Sequence, residues 1–571
     1  MEPKLTSIQR LFQLLSLDRT EIRTIYLYAV VSGIIALSLP LGIQSIISFI
    51  MAGQVSKSWI LLVFVVVVGI LISGLLTVFQ IALTERLQQK IFFRSANEFA
   101  YRIPRFKLET MTKHFAPELI NRFFDTINIQ KGLAKLLIDV PSAILQIFFG
   151  LLLLAFYHPF FVVFGVILII GVVAVFRYTF PRGLETSLQE SMYKYKVAFW
   201  LEELGRLLGT FKLSGNAPIV LEKTDRFVTG YIQARKAHFR ILIIQFANLI
   251  GFKALITGFL LLLGGFLVID NQISIGQFVA SEIIIVLIIN SSEKLLHSVE
   301  TLFDLLTAIT KVGDVMDVPL EIENYKGNYV QVPDGPFGIR IKNLDFQIGM
   351  AGEDYHLKNV NLEVKPGQVV MITGKSGSGK SHLLHLIAAH YTEYYGSIEI
   401  AGLPLRNWDR DELRGYIGDY FSEENIFWGT ITENITMGRN IETSFLLDIA
   451  ESLKLDDFIN QLPDGYETEI NPEGTLIPDN IRKKILLARS LAGKPRLLLS
   501  EDITTGTDRR TMESYLNFIL SKKTETTFVA VAHSDFLASR SDLIVVMAQG
   551  MITWKGTYDE FKVHPEFQNL L

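Results

Sequence analysis

Apolar residues gather into long unbroken runs in the first half of the chain and into short runs in the second. Six long runs, Ile25–Met51, Trp59–Leu83, Ile138–Tyr157, Phe160–Phe176, Ile241–Ile269 and Gln277–Leu296, read as membrane spans. Each is near the ~20 apolar helical residues that a bilayer core requires. Pro40 lies in the first run and Pro141 within the third, near its start; lipid-embedded helices tolerate proline where neighbours satisfy the freed carbonyl. Past Leu296 a polar, helical stretch runs to about Val318, followed by a Pro/Gly/Asn-rich linker, Pro319–Phe337. From Gly338 short apolar runs alternate with helical stretches, as in an α/β domain. Met1–Arg23 sets Leu5, Ile8, Leu11, Phe12, Leu14 and Leu15 among charges, the pattern of an amphipathic helix on the inner membrane face. The expected domains are therefore an amphipathic segment (1–23), a six-span transmembrane domain (24–318), a linker (319–337) and an α/β domain (338–571).

Loop charge orients the spans. Thr84–Leu137 and Arg177–Arg240 carry roughly ten Lys/Arg each, among them Arg86, Lys90, Arg94, Lys194 and Lys196, whereas the alternate loops carry only Lys57. The positive-inside rule puts both long loops and both termini in the cytoplasm. Their helical composition extends spans two to five well beyond the bilayer. His114–Arg122 and Leu207–Gly215 mark where the loops should turn. Gln146, Asn248, Lys253 and Glu282 fall at membrane depth, where polar side chains face a bundle interior or water. Helix–helix hydrogen bonding accounts for them; substrate contact at Lys253 and Glu282 is the sharper alternative.

With 571 residues, 49% hydrophobic, and a mean hydropathy of +0.33, the chain is too apolar for an ordinary soluble protein. A net charge of −4 gives no basic field for nucleic acid. The absence of cysteine excludes disulfides, thiolate metal sites and a cysteine nucleophile. Met1–Arg23 lacks the long apolar stretch and small-residue site of a cleaved signal peptide.

The chemistry concentrates at Gly374-Lys375-Ser376-Gly377-Ser378-Gly379-Lys380-Ser381. It fits the phosphate-binding pattern G-x-x-x-x-G-K-[ST] at every fixed position. The apolar run Val369–Thr373 precedes it as a strand, and His382 onward continues as a helix. In that context backbone N–H groups close around a triphosphate, Lys380 meets the β/γ-phosphates and the Ser381 hydroxyl ligates Mg²⁺. A chance glycine-rich turn is the alternative, and the strand–loop–helix context argues against it. The cofactors expected are ATP and Mg²⁺. The expected fold class is a membrane all-α six-helix domain joined to a cytoplasmic α/β P-loop nucleotide-binding domain.

Further landmarks follow in order. Leu413–Gly418, Ile426–Ile435, Leu462–Tyr466, Ala488-Arg489, Pro495–Asp502, Thr504, Asp508 and His533, behind six spans, resemble ABC transporters of the exporter type. The resemblance covers essentially the whole chain. Leu39-Pro40-Leu41 and Ile275–Val279 look most similar to the type I protein-secretion branch, without the N-terminal peptidase-like domain some members carry.

Several positions depart from the family. Its L-S-G-G-Q signature is replaced by Ile477-Pro478-Asp479-Asn480-Ile481. In the family that serine and those glycines reach the γ-phosphate held by the other subunit of a dimer. Pro478 offers neither hydroxyl nor N–H, and Asp479 adds a carboxylate where a phosphate should sit. Pro-Asp-Asn is also a good helix start, with Asp479 or Asn480 as cap. The helix is expected to persist but no longer to reach a phosphate. The Asp-Glu pair after the Walker B strand reads Glu501-Asp502. By resemblance Glu501 holds Mg²⁺ and Asp502 is a shortened general base. Ser422 stands where a glutamine contacts metal and attacking water, and Ile348 where an aromatic ring stacks on adenine; Tyr355 is a substitute ring. His533 is retained as a γ-phosphate contact. His382 extends the nucleotide-binding set.

The resemblance implies an ATP-binding half-transporter that dimerises through its nucleotide-binding domains, as homodimer or heterodimer, in the cytoplasmic (inner) membrane. It would export a substrate, peptide or protein favoured, with weak hydrolysis. A periplasmic adaptor and an outer-membrane duct are partners the secretion branch allows. A non-hydrolysing structural or regulatory subunit paired with a competent relative is the alternative.

Overall fold

The computed structural model describes residues 5–51, 57–111, 116–215, 217–321, 332–348, 356–421, 425–472, 476–501 and 509–564. The chain divides into two compact units. One comprises Met1–Arg105 and Lys113–Val318, the other Phe106–Thr112 and Pro319–Leu571.

The first unit is helical: α1 (Ser7–Ser16), α2 (Arg19–Ala36), α3 (Ser38–Met51) and α4 (Lys57–Arg102) come first. The short α5 (Leu108–Met111) and α6 (Ala116–Asn121) precede α7 (Asp125–Tyr157) and α8 (Phe160–Arg206). The single-turn α9 (Leu208–Leu213) leads to α10 (Pro218–Ile269) and α11 (Ile275–Met316). Among the described residues six segments are long and apolar enough to cross a membrane, the first made of α2 and α3 together and the others centred on α4, α7, α8, α10 and α11. The chain is a multi-pass membrane protein.

Two features of the N-terminal region differ from the sequence reading. The amphipathic helix is α1 alone, and Arg19–Arg23 begins the first long helix, α2. The break falls at buried Asp18, whose carboxylate receives both Nη atoms of Arg94 at 2.7 Å. The first span is also interrupted at Leu37, where Pro40 cannot donate to the carbonyl of Ala36.

Burial ranks the helices. Half of the most apolar window of α11 is buried within the unit, against 6% of that of α4. So α11 is the central post and α4 offers its apolar surface to lipid. The α7–α11 seam uses small residues: a Cβ on Gly150 would sit 3.0 Å from Ile288. Ser291 Oγ donates to Gln146 Oε1 across it at 2.7 Å. Lys253, on α10, pairs with Glu293 of α11 at 2.7 Å. Two of the polar residues singled out at membrane depth thus have helix partners.

Helix α4 ends where Pro104 enters a 3-10 turn, Ile103–Arg105; of the segment expected to turn, His114–Arg122, the first two residues lie outside the described residues. Phe106 bridges to Leu320 and the Lys107 N–H donates to Pro319 O at 3.1 Å. These contacts put Phe106–Thr112 in the second unit.

That unit opens with β1 (Ile339–Phe346), β2 (Leu357–Val364) and β3 (Val369–Thr373), then α12 (Lys380–Ile387). Next come β4 (Tyr395–Ile400), β5 (Leu403–Pro404), α13 (Arg410–Gly415), β6 (Ile417–Tyr420) and β7 (Gly429–Thr430). A helical part follows: α14 (Ile431–Thr436), α15 (Thr443–Ser452), α16 (Asp456–Ile459), β8 (Glu469–Ile470) and α17 (Asp479–Ala492). The chain then returns through β9 (Leu497–Glu501), α18 (Arg509–Ser521), β10 (Thr527–Val531), β11 (Leu543–Ala548) and β12 (Met551–Gly556). The larger sheet runs β12-β11-β3-β10-β9-β6, parallel except for β12. Strands β3, β9 and β10 are buried at every position, because both faces of a parallel sheet are covered. A smaller antiparallel sheet, β2-β1-β4-β5, packs beside it.

Candidate functional site

Parallel register brings the ends of β3, β10 and β9 together. Val531 is level with Ile372 on one side and Glu501 on the other. The phosphate loop therefore emerges beside Glu501 and His533, at the strand ends where α/β sheets bind ligands. A cavity of about 900 Å³ lies there. Its wall includes Ser376, Gly377, Ser378, Gly379, Lys380, Ser381, His382, Glu501 and His533.

The loop is shaped for close approach. A Cβ on Gly374 would fall 2.1 Å from Met547 O, and Gly379, at φ +95°, would meet His356 O at 2.8 Å. Gly379 is also the N-cap of α12, whose first-turn N–H groups and partial positive charge face the cavity. Lys380 Nζ donates to Gly374 O at 2.7 Å, Lys375 O at 2.8 Å and Ser378 Oγ at 3.2 Å. Gly374 and Lys375 thus hold the lysine from behind while the rest of the loop forms the wall. The donor set, a lysine, a hydroxyl at Ser381 and a helix N-terminus beside buried Glu501, suits a phosphate chain with a hard cation.

His533, exposed, sets its Nδ1 3.3 Å from Thr373 Oγ1. Burial first, then the His356 and His385 rings, push the pKa of His382 below its usual value, so that ring starts neutral near pH 7.

Other residues of the sequence reading fall elsewhere. Ser422, Asp502 and Tyr355, with Thr504 and Asp508, lie outside the described residues. Ile348 is half-buried against the core around the smaller sheet and does not line the cavity. Ile477 and Ile481, one turn apart, turn into the core, leaving Pro478, Asp479 and Asn480 exposed. None of the five lines the cavity of its own chain. The expected cap is corrected: Pro478 is the N-cap of α17, with no side-chain cap bond. The Asp479 carboxylate turns instead to Lys483, at 3.0 Å, and to Arg482. That pairing, led by Lys483, holds its pKa below the usual range and compensates the charge expected to face a phosphate.

The cavity also takes in His356, Lys358, Gln549 and Gly550, which the motif does not contain. Gln549-Gly550, both at positive φ, form the turn between β11 and β12; the Gln-Gly pair between two apolar runs is the one visible signal for them.

Family models fit both units. An ABC transporter transmembrane region matches residues 23–292 and an ABC transporter domain matches residues 357–505. The chain belongs to the ABC transporters. Among curated relatives of this ABC transporter, the alpha-hemolysin translocation ATP-binding protein HlyB of Escherichia coli O157:H7 is 27% identical over 63% of this chain and 51% of its own length. The putative multidrug export ATP-binding/permease protein YgaD of Bacillus subtilis is 30% identical over 52% of this chain and 51% of its own. The chain thus aligns with about half the length of these relatives. A solved bacterial Atm1-family ABC exporter with ATP bound superposes with a TM-score of 0.86 at 20% identity, covering 96% of this chain and 97% of that one. The fold is that of an ABC exporter.

Proposed function

We propose that this chain is an ATP-binding half-transporter of an ABC exporter, moving a substrate out across the cytoplasmic membrane with weak ATP hydrolysis. The observation carrying the reading is the cavity at the ends of β3, β9 and β10, lined by Lys380, Ser381, Glu501 and His533. Lys380 and the α12 N-terminus hold phosphates. Ser381 and Glu501 hold Mg²⁺, with Ser422 near it, and His533 meets the terminal phosphate. Asp502 is the base that activates water. The named roles of HlyB in alpha-hemolysin translocation and of YgaD in putative multidrug export support export, and HlyB favours a polypeptide cargo. Both termini and the basic loops lie in the cytoplasm. Two chains pair through their nucleotide-binding domains, each offering Ile477–Ile481 to the other's nucleotide; an adaptor and an outer-membrane duct complete the route in the secretion-like form.

One observation favours a second reading. The exposed start of α17 presents Pro478, with no donor, and an Asp479 occupied by its own lysine and arginine. A subunit that binds nucleotide without hydrolysing it, paired with a competent relative, fits that surface. Membrane vesicles containing this chain alone, and with candidate partners, test both readings through MgATP binding and phosphate release. Binding in wild type that Lys380→Ala abolishes upholds the site. Equal binding in both overturns it, and MgATP-driven uptake of substrate into inside-out vesicles decides between exporter and regulator.

A further inference from the structure

Part of the wall of the nucleotide cavity beyond the phosphate loop is built around an imidazole, that of His356. The backbone of His356 is wedged between two turns. A Cβ on Gly379 would lie 2.8 Å from His356 O, and one on Gly550 2.7 Å from the same atom. Both glycines have positive φ, so either side chain would bring strain as well as a clash. The His356 N–H donates to Phe346 O at 2.8 Å, and the Lys358 N–H to Gly550 O at 2.8 Å. The backbone is thus fixed between the phosphate loop and the β11–β12 turn, and the side chain is delivered into the cavity.

The ring is fixed too. His356 and His382 meet edge to face, centroids 4.7 Å apart and planes at 82°. Phe346, wholly buried, backs both rings at 6.3 and 5.7 Å. His356 Nδ1 has no hydrogen-bond partner among the described residues. With Ile348 turned to the core, His356 is the aromatic ring that the described cavity wall offers beyond the phosphate loop's own His382 and the His533 end.

We propose that His356, steadied by His382, holds the nucleoside end of the bound nucleotide, in place of a stacking ring at position 348. The proposal rests on the nucleotide-binding reading of the cavity. A phosphate chain lying on Lys380 and reaching toward Glu501 and His533 leaves its sugar and base toward His356, Lys358 and Gln549. An imidazole face packs against a base or ribose as other aromatic rings do.

The test measures MgATP and Mg-tripolyphosphate binding to the full chain in detergent, by calorimetry. His356→Ala is expected to weaken MgATP about tenfold, the usual scale for losing one ring under a base, and to leave tripolyphosphate within about twofold. His356→Phe, which keeps a ring, is expected to hold MgATP near wild type. Retained tripolyphosphate binding reports that the variant is folded; should the alanine variant fail to fold, His356→Gln reads the same contrast. Equal MgATP affinity in wild type and ring-less variants overturns the proposal, as does an equal loss of both ligands in a folded variant. Lys380→Ala separates the two levels: it should lose both ligands, and if it loses neither, the nucleotide reading fails rather than the role of His356.

Discussion

The carboxylate of Glu109 accepts the backbone N–H of Thr392, 283 residues further along the chain. The same Oε1 takes the Glu393 N–H at 3.2 Å, and Lys107 pairs with Glu393. One side chain from the turn after α4 therefore satisfies two amides just ahead of β4. An amide losing its partner at a part-buried site costs about 1–3 kcal/mol. Glu109→Ala is expected to raise hydrogen exchange at Thr392 and Glu393 by roughly tenfold or more. Glu109→Gln, which keeps an acceptor oxygen, should show a smaller rise. Unchanged exchange in the alanine variant would mean that this carboxylate does not hold the turn in place.

His390 supplies a pH dependence. Burial, then the charges of His385 and Arg414, lower its pKa from 6.5 to about 4, with Asp419 and Glu501 opposing. Its Nδ1 lies 2.8 Å from His385 Nδ1. The folded state resists a proton that the unfolded chain takes up below about 6.5. The stabilisation is therefore complete above pH 6.5 and is lost as pH falls toward 4, at up to about 1.4 kcal/mol per unit. The unfolding midpoint in detergent should drop between pH 6.5 and 5 more steeply in wild type than in His390→Gln. Parallel pH profiles would refute the assignment.

The Lys253–Glu293 pair ties α10 to α11 at a depth where an isolated charge is strongly disfavoured. Removing one partner of a fully buried pair costs about 3–5 kcal/mol. Lys253→Met leaves the Glu293 carboxylate unpaired at that depth and should cost about 2–3 kcal/mol. Adding Glu293→Gln should recover most of that loss, because it removes the stranded charge. A double variant no more heat-stable than Lys253→Met would point to substrate contact or another partner for Glu293.

The sequence carried the elements whose causes are local. The phosphate loop was legible because each fixed residue answers to a backbone or phosphate requirement within eight positions. The six spans were legible because length and hydropathy decide them. What escaped depends on meetings between distant residues. Nothing near Phe106 announces its bridge to Leu320. Nothing near His356 announces that Gly379 and Gly550 close on its carbonyl. The ranking of α11 as buried and α4 as lipid-facing follows from packing, since both are apolar. At Asp479 the deciding partners, Arg482 and Lys483, stand three and four residues on along the same helix, so the local i,i+3 and i,i+4 pairs turn the carboxylate.

The Asp479 pairing also bears on turnover. The start of α17 lacks a hydroxyl at Pro478 and holds two cations in an internal clamp. Pro478→Ser with Asp479→Gly and Asn480→Gly would supply the missing donors for a phosphate across a dimer and remove the carboxylate. One preorganised donor to a transition-state oxygen is typically worth about 10²–10³ in rate. The triple variant should raise phosphate release at least tenfold over wild type in vesicles, with little change in MgATP affinity. Adding Glu501→Asp and Asp502→Glu should raise it further, because base and metal ligand regain their reach. A wild-type chain that alone turns over at about 1–10³ s⁻¹ would mean that another group serves the terminal phosphate. Restored variants that bind MgATP and stay inert would mean that two copies do not close on the nucleotide, and the regulatory reading would stand.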